Sequence, residues 1–339
     1  MLTSPSSMLD NPAVLRALDQ TFHSTTVDYA EPLPAGLSTD LIYRITVKGS
    51  PYILRIMTRI DERMDPARIF SCMRAAAGAG IAPPLRYSSP EDGITIIDFI
   101  DPIPFPASRA LAQLPAILRK LHALPPFPKT FNYVTAHNGI IWRFRESNLL
   151  PAPEIEEVFT HYDRLGAAYP RLDADMVSCH SDLKPENILY DGRRAWLTGW
   201  QAAFVNDRYF DLALAANFLV RTEADELTYL AHYFDEQPSE YQRARFFLMR
   251  QVVHMLSATV FLTLFSGGKP VTGPANLPSF EDFHRQLWSN ELELADNSLK
   301  IANGLIHWNR LLENMRQARF EDSLALVHKA NAALLLPQR

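Results

Sequence analysis

The sequence predicts an α+β chain of two lobes, a small antiparallel-sheet N-lobe followed by a larger, mainly helical C-lobe. Three observations carry this. Strand-type alternation is confined to the front, in "LIYRITVKGSPYILRIM" from Leu41 to Met57; a proline-dense stretch follows at Pro102, Pro104 and Pro106; beyond it, apolar residues recur at three-to-four spacing. With 339 residues and 47% hydrophobic content the chain can bury a full core in both parts. The expected division is a helical lead at 1–24, an N-lobe at 25–101 and a C-lobe at 102–339.

The lead helix runs from Asn11 to Phe22. Leu41, Tyr43, Ile45 and Val47 then alternate with Ile42, Arg44 and Thr46, Lys48-Gly49-Ser50 interrupts, and "PYILRIM" returns, which predicts an antiparallel pair after a Pro/Gly/Ser loop. In "DPARIFSCMRAAAGAGIAPP", Asp65 suits an N-cap, Pro66 the first helical position and Gly80 the exit. "PLRYS" and "ITIIDFI" read as strands completing a small sheet, and no helix or central strand tolerates the prolines beyond them. "SRALAQLPAILRKLHAL", "EIEEVFTHYDRL", "DLALAANFLV", "EADELTYLAHYF" and "SEYQRARFFLMRQVVHMLSATVFLTLF" carry the helical period of the C-lobe.

Composition excludes several classes. A formal charge of -5, with no lysine or arginine run, argues against nucleic acid or an anionic membrane as partner. Cys72 and Cys179 are too few and too far apart for a zinc site or a disulfide framework; they suit buried thiols in a reducing compartment. The first residues lack the basic and apolar regions of a secretory signal, and the apolar run Met255 to Phe265 is about half what a membrane span needs, so a cytoplasmic location is expected.

The chemistry concentrates in "CHSDLKPENILYDGRRAWLTGW", residues 179 to 200. Phosphoryl transfer needs a base near the acceptor hydroxyl, metal ions bridging phosphates, and cations that offset charge on the transferred group. Asp182 suits the base, Asn187 a metal ligand through its amide oxygen, and Lys184 the phosphate contact. "ILY", a turn at Asp191-Gly192-Arg193-Arg194, and "AWLT" predict a hairpin that returns residue 199 to the level of Asn187.

With His180, Asp182 and Asn187 in a His-x-Asp-x-x-x-x-Asn pattern, and "DRYFDLA" downstream, the chain resembles the aminoglycoside phosphotransferase and choline kinase family, a branch of the protein-kinase-like fold, over about residues 25 to 265. The resemblance implies ATP and Mg2+ as cofactors and a small-molecule hydroxyl (choline, an aminoglycoside or similar) as acceptor. It implies Asp182 as base, Asn187 on magnesium, and Asp211 bracing the loop. In the N-lobe, "AGLSTDLIYRI", with Ser38, resembles the nucleotide-covering loop, Arg55 in "YILRI" would meet ATP phosphates, and the Asp98 carbonyl and Ile100 amide would face adenine. The chain lacks an Ala-Pro-Glu activation segment, which argues against a protein substrate.

The pattern breaks at Gly199, where the family carries its principal magnesium aspartate, and at Ala67, about where the glutamate that pairs with the basic strand residue is expected. Three explanations stand: a nucleotide- or ligand-binding relic without turnover, another carboxylate such as Asp207 holding the metal, or a glycine introduced to trap an inactive form. Each residue also has a plain structural role to weigh: His180 as backbone support, Lys184 as a solvated charge, Arg55 as a paired strand residue and Asp211 as an N-cap. Trp142, Tyr233, Trp288 and Trp308 could line a cation-accepting pocket or simply pack.

Overall fold

The computed structural model describes residues 10–34, 39–129, 131–271 and 276–334. Ser38 lies outside the described residues. Helix α1 (Pro12–Phe22), capped by the Asn11 side chain, leads into strands β1 (Tyr29–Leu33), β2 (Leu41–Val47) and β3 (Ser50–Ile56). Helix α2 (Pro66–Gly78) and strands β4 (Leu85–Ser89) and β5 (Ile94–Asp98) complete an antiparallel sheet of order β1-β2-β3-β5-β4. The β2–β3 turn has Lys48 at φ 50° and Gly49 at φ 75°, two left-handed residues whose twist matches the strands they join.

Strand alternation decides what the sheet offers to the rest of the molecule. Tyr43, Ile45, Val47, Leu54, Ile94 and Ile96 bury one face against Val14, Ala17 and Leu18 of α1. The opposite face carries Arg44 and, in register across β2, β3 and β5, Ile42, Arg55 and Thr95. Asp65 caps α2 by accepting from the N–H groups of Ala67 (2.9 Å) and Arg68 (3.3 Å). The buried side of α2 (Ile69, Phe70, Met73) joins the same core as the helical region, which ties that helix to the C-lobe.

Beyond the proline stretch come α3 (Ala107–His122), α4 (Phe131–Arg145) and α5 (Ala152–Ala168). Strands β6 (Met176–Cys179) and β9 (Phe204–Asp207) pair with each other and flank a hairpin of β7 (Ile188–Tyr190) and β8 (Ala195–Leu197). The remaining helices are α6 (Arg208–Leu219), α7 (Glu223–Phe234), α8 (Glu240–Phe265), α9 (Phe280–Trp288), α10 (Asn297–Met315) and α11 (Ala318–Leu334). By length and composition α8 could cross a membrane; here its Leu248, Met255, Ala258 and Leu262 pack with Trp308, Leu311 and Phe320. Strands β1, β6 and β9 and helices α4, α9, α10 and α11 were not among the expected elements. Cys72 and Cys179 are buried and unpaired, as read from the sequence.

Candidate active site

The loop between β6 and β7 is held from below by one carboxylate. Asp211, fully buried in the first turn of α6, accepts the backbone N–H of His180 through Oδ2 and that of Ser181 through Oδ1, each at 2.7 Å. It is not the N-cap of that helix; Asp207 fills that role, accepting from the Tyr209 N–H at 2.8 Å. Two charge-assisted bonds to adjacent amides fix the loop where Ser181 takes a left-handed φ of 61°. His122 adds a third contact to Asp211, at 3.2 Å, and bonds Tyr233 Oη at 2.7 Å through its other nitrogen. Cys179 completes a cluster of possible metal ligands with His122 and Asp211, but burial pushes its thiol well above the usual range, and the Asp211 carboxylate is already occupied by amides.

His180 is fully buried, and burial lowers its pKa below the ordinary histidine value, so the ring is neutral. Its Nε2 donates to the Thr198 carbonyl at 2.7 Å, which leaves Nδ1 to accept the Asp182 N–H at 3.3 Å. Trp200 packs edge-on against the ring, 4.7 Å between centroids. His180 therefore fixes the loop to the strand pair and does not face the cleft.

Above this frame stands Asp182, its side chain 40% exposed. Its Oδ2 receives Asn187 Nδ2 at 2.8 Å and faces Lys184 Nζ at 3.3 Å. Asn187 Nδ2 also reaches the Asp182 main-chain carbonyl at 2.8 Å. The predicted hairpin does bring residue 199 back: Thr198 N donates to Asn187 O at 2.9 Å, and Gly199 stands against the Asn187 amide. Gly199 has φ +78°, and a Cβ built there would lie 2.6 Å from Asn187 Cγ. The asparagine amide thus fills the space a side chain at 199 would need.

That geometry tests the magnesium assignment. Mg2+ asks for near-octahedral oxygen ligands, commonly one or two carboxylates beside substrate phosphates. Here the donor set is Asn187 Oδ1 and the carboxylate of Asp182, which already faces Lys184 Nζ. These residues do not fit a tightly held magnesium ion. Asp207 does not supply the missing oxygen: it pairs with Met176, at the far end of β6 from the loop, and its carboxylate accepts from Arg245 Nη2 at 2.9 Å and Tyr169 Oη at 3.1 Å. Burial pushes that carboxyl up to about 6.

In the N-lobe the basic strand residue has found a different partner. Arg55, on the sheet face away from α1, donates through Nε (2.8 Å) and Nη2 to Asp40 Oδ2, and both groups are buried. Asp40 also accepts the Thr58 N–H at 3.3 Å. Ala67 sits in the first turn of α2, and its neighbour Arg68 does what sequence reasoning missed: Nη1 donates to Ala203 O and Nη2 to Gln201 O, both at 2.8 Å. The helix is thereby tied to the segment just after Gly199. An arginine one place from the expected glutamate was the available signal. Asp98 ends β5 with its carboxylate on Arg86 (2.6 and 2.7 Å), and Ile100 comes after it, half-buried, where the chain leaves the sheet.

The four aromatic residues do not converge. Trp308 is buried against Phe144, Tyr233 bonds His122, Trp288 Nε1 donates to Phe105 O at 2.8 Å, and Trp142 is 64% exposed. They pack separately rather than lining one cation pocket.

The profile of the phosphotransferase enzyme family matches residues 30–247, well over half of the chain. The chain belongs to this family. Its fold is similar to that of a choline/ethanolamine kinase family protein from Mesorhizobium loti (TM-score 0.68, 21% identity, covering 95% of this chain and 100% of that one). It is also similar to the choline kinase LicA from Streptococcus pneumoniae (TM-score 0.59, 17% identity, 89% and 97% covered). A spectinomycin phosphotransferase solved with ADP and spectinomycin shares the fold as well (TM-score 0.54, 14% identity, 86% and 96% covered). No curated protein matches the chain at the level of sequence. The chain has a protein-kinase-like fold of sheet and helices, as the loop motif implied.

Proposed function

We propose that this phosphotransferase moves the terminal phosphoryl group of ATP to a hydroxyl of a small molecule, with Asp182 taking the hydroxyl proton. The observation that carries the reading is the state of Asp182: a half-exposed carboxylate on a loop pinned by Asp211 and His180, with Lys184 at 3.3 Å. A base must be fixed in place yet open to its substrate, and this one is both. Lys184 offsets charge on the phosphoryl group as it leaves the nucleotide. Arg55 meets the phosphates only by exchanging Asp40 for them, and Asp98 and Ile100 border the adenine at the start of the connection to the helices. No step is assigned to magnesium, because Asp182 and Asn187 alone fall short of its ligand set. An acceptor of the choline, ethanolamine or aminoglycoside type is in keeping with the names of the proteins of similar fold.

A second reading, a kinase-fold protein that binds nucleotide or ligand without turnover, is favoured by one observation: the Asn187 amide sits in the space of a residue-199 side chain. Two measurements separate the readings. Calorimetric titration of ATP with and without Mg2+ reads binding, and an acceptor screen with Asp182→Asn as control reads transfer. The proposal expects turnover in the native chain, none in Asp182→Asn, and similar ATP affinity in both. Native-level turnover in the variant removes Asp182 from its role; ATP binding with no turnover on any acceptor leaves the second reading.

A further inference from the structure

A cavity of about 630 Å³ opens among α7, the first half of α8, the end of α10 and the start of α11. No residue of the 179–187 loop or of 198–201 lines it. Helix α6 connects the two places: Asp211 braces the loop, and Val220, which lines the cavity, comes nine positions later, about 13 Å along a helix axis. The volume suits a metabolite rather than a bare ion.

The cations of this cavity are unequally served. Arg243 has Glu223 (2.6 Å) and Glu226 (3.2 Å), Arg319 has Glu226 (2.6 Å), and Arg310 has Glu281 (2.6 Å). Arg250 has no carboxylate: among the described residues no hydrogen bond or ion pair joins its guanidinium, and its Nε is enclosed without an acceptor. Arg310 Nε is enclosed in the same way. Burial, with Arg310 and Arg319 nearby, pushes the Arg250 guanidinium down to about 10, although Glu226 and Glu281 lie within reach of its field. Gln251 and Asn314, buried and bonded to each other at 3.0 Å, add polar wall beside it. A guanidinium whose Nε is enclosed and which lines a cavity without an oxyanion partner is incomplete in a way that apolar packing does not repair.

We propose that this cavity binds a small metabolite bearing a phosphate or carboxylate group, whose oxygens complete the fork of Arg250 and meet Arg310. The site is independent of the phosphoryl-transfer reading. Its test is a titration of the full chain with inorganic phosphate and, separately, citrate, at constant ionic strength, by thermal shift and calorimetry. Saturable stabilisation is expected in the native chain and equally in Asp182→Asn, with Arg250→Met losing it. The two probes tell a phosphate site from a carboxylate site. Without anion, Arg250→Met is expected to melt no lower than the native chain, since it removes an uncompensated charge. If that variant does not fold, Arg250→Lys serves instead: the charge stays but the fork is lost, and affinity should fall about tenfold or more. No saturable response to either anion in the native chain, or an equal response in the Arg250 variant, overturns the proposal.

Discussion

Replacing Asp211 by alanine tests the claim that a single carboxylate shapes the Asp182 loop. The side chain is fully buried and accepts two adjacent amides at 2.7 Å, so truncation leaves the N–H groups of His180 and Ser181 without partners. Hydrogen bonds to a charged group contribute about 1.5–3 kcal/mol each, so the loss is about 3–6 kcal/mol, a large part of a typical stability of about 5–15 kcal/mol. Asparagine at 211 keeps one acceptor oxygen and turns an amide toward the other N–H, for a loss of about half as much. Urea unfolding of the native chain and both variants reads the sequence of midpoints. Ser181→Gly supplies the control: glycine relieves the left-handed φ of 61° and should recover about 1 kcal/mol in either background. A loss under about 1 kcal/mol for Asp211→Ala would refute the reasoning, since two buried amides cannot be abandoned so cheaply.

Gly199→Asp is expected to cost about 1–2 kcal/mol of stability, because φ is +78° and the Asn187 amide must rotate away, while making nucleotide binding magnesium-dependent; calorimetry with unchanged metal dependence would separate residue 199 from the metal position. Arg68→Ala removes the bonds to Gln201 O and Ala203 O and should cost about 1–3 kcal/mol, with cleavage by a nonspecific protease appearing first near 199–203; uniform resistance there counts against the tether. Acid stability depends on a chain of buried rings: His284 Nδ1 donates to Phe280 O, its Nε2 accepts from His307 Nε2 at 3.2 Å, and His307 Nδ1 accepts from His254 Nδ1 at 3.0 Å. Burial lowers all three pKa values, His284 to about 3, so below the ordinary histidine value the unfolded chain binds more protons and stability falls with pH. Asp207, raised to about 6, works the other way over the same window, but buried His180 adds to the three rings, so stability is expected to drop between pH 6 and 5. Urea midpoints unchanged across that interval would show that the rings are charged in the fold.

Most of the framework was legible because its signals are local. Alternation at 41–47, the Lys48-Gly49 turn, the Asp65-Pro66 start and the Asp191-Gly192 turn each reappear where the sequence placed them. The hairpin prediction was the productive one, since turn chemistry alone put Gly199 beside Asn187. Partner choice was not legible. Arg55 turned to Asp40, fifteen positions earlier across the sheet, and Arg68 turned to carbonyls more than a hundred positions away, contacts that depend on how the helix docks. Asp207 looked available from its spacing, yet Arg245 and Tyr169 had already taken it. Strand β9 was hidden because "FVND" is too short to establish a period.

The pairing of Arg55 with Asp40 also bears on how nucleotide binding should respond to salt. A lone guanidinium meeting phosphates gives up bound counterions, and its affinity falls as ionic strength rises. Arg55 already has its counterion built into the chain, so under its proposed role arriving phosphates would exchange one anion for another. Added salt then weakens the old contact and the new one together. Affinity at this lobe should therefore vary little with ionic strength, and Asp40 sets a threshold that only a strongly charged ligand crosses.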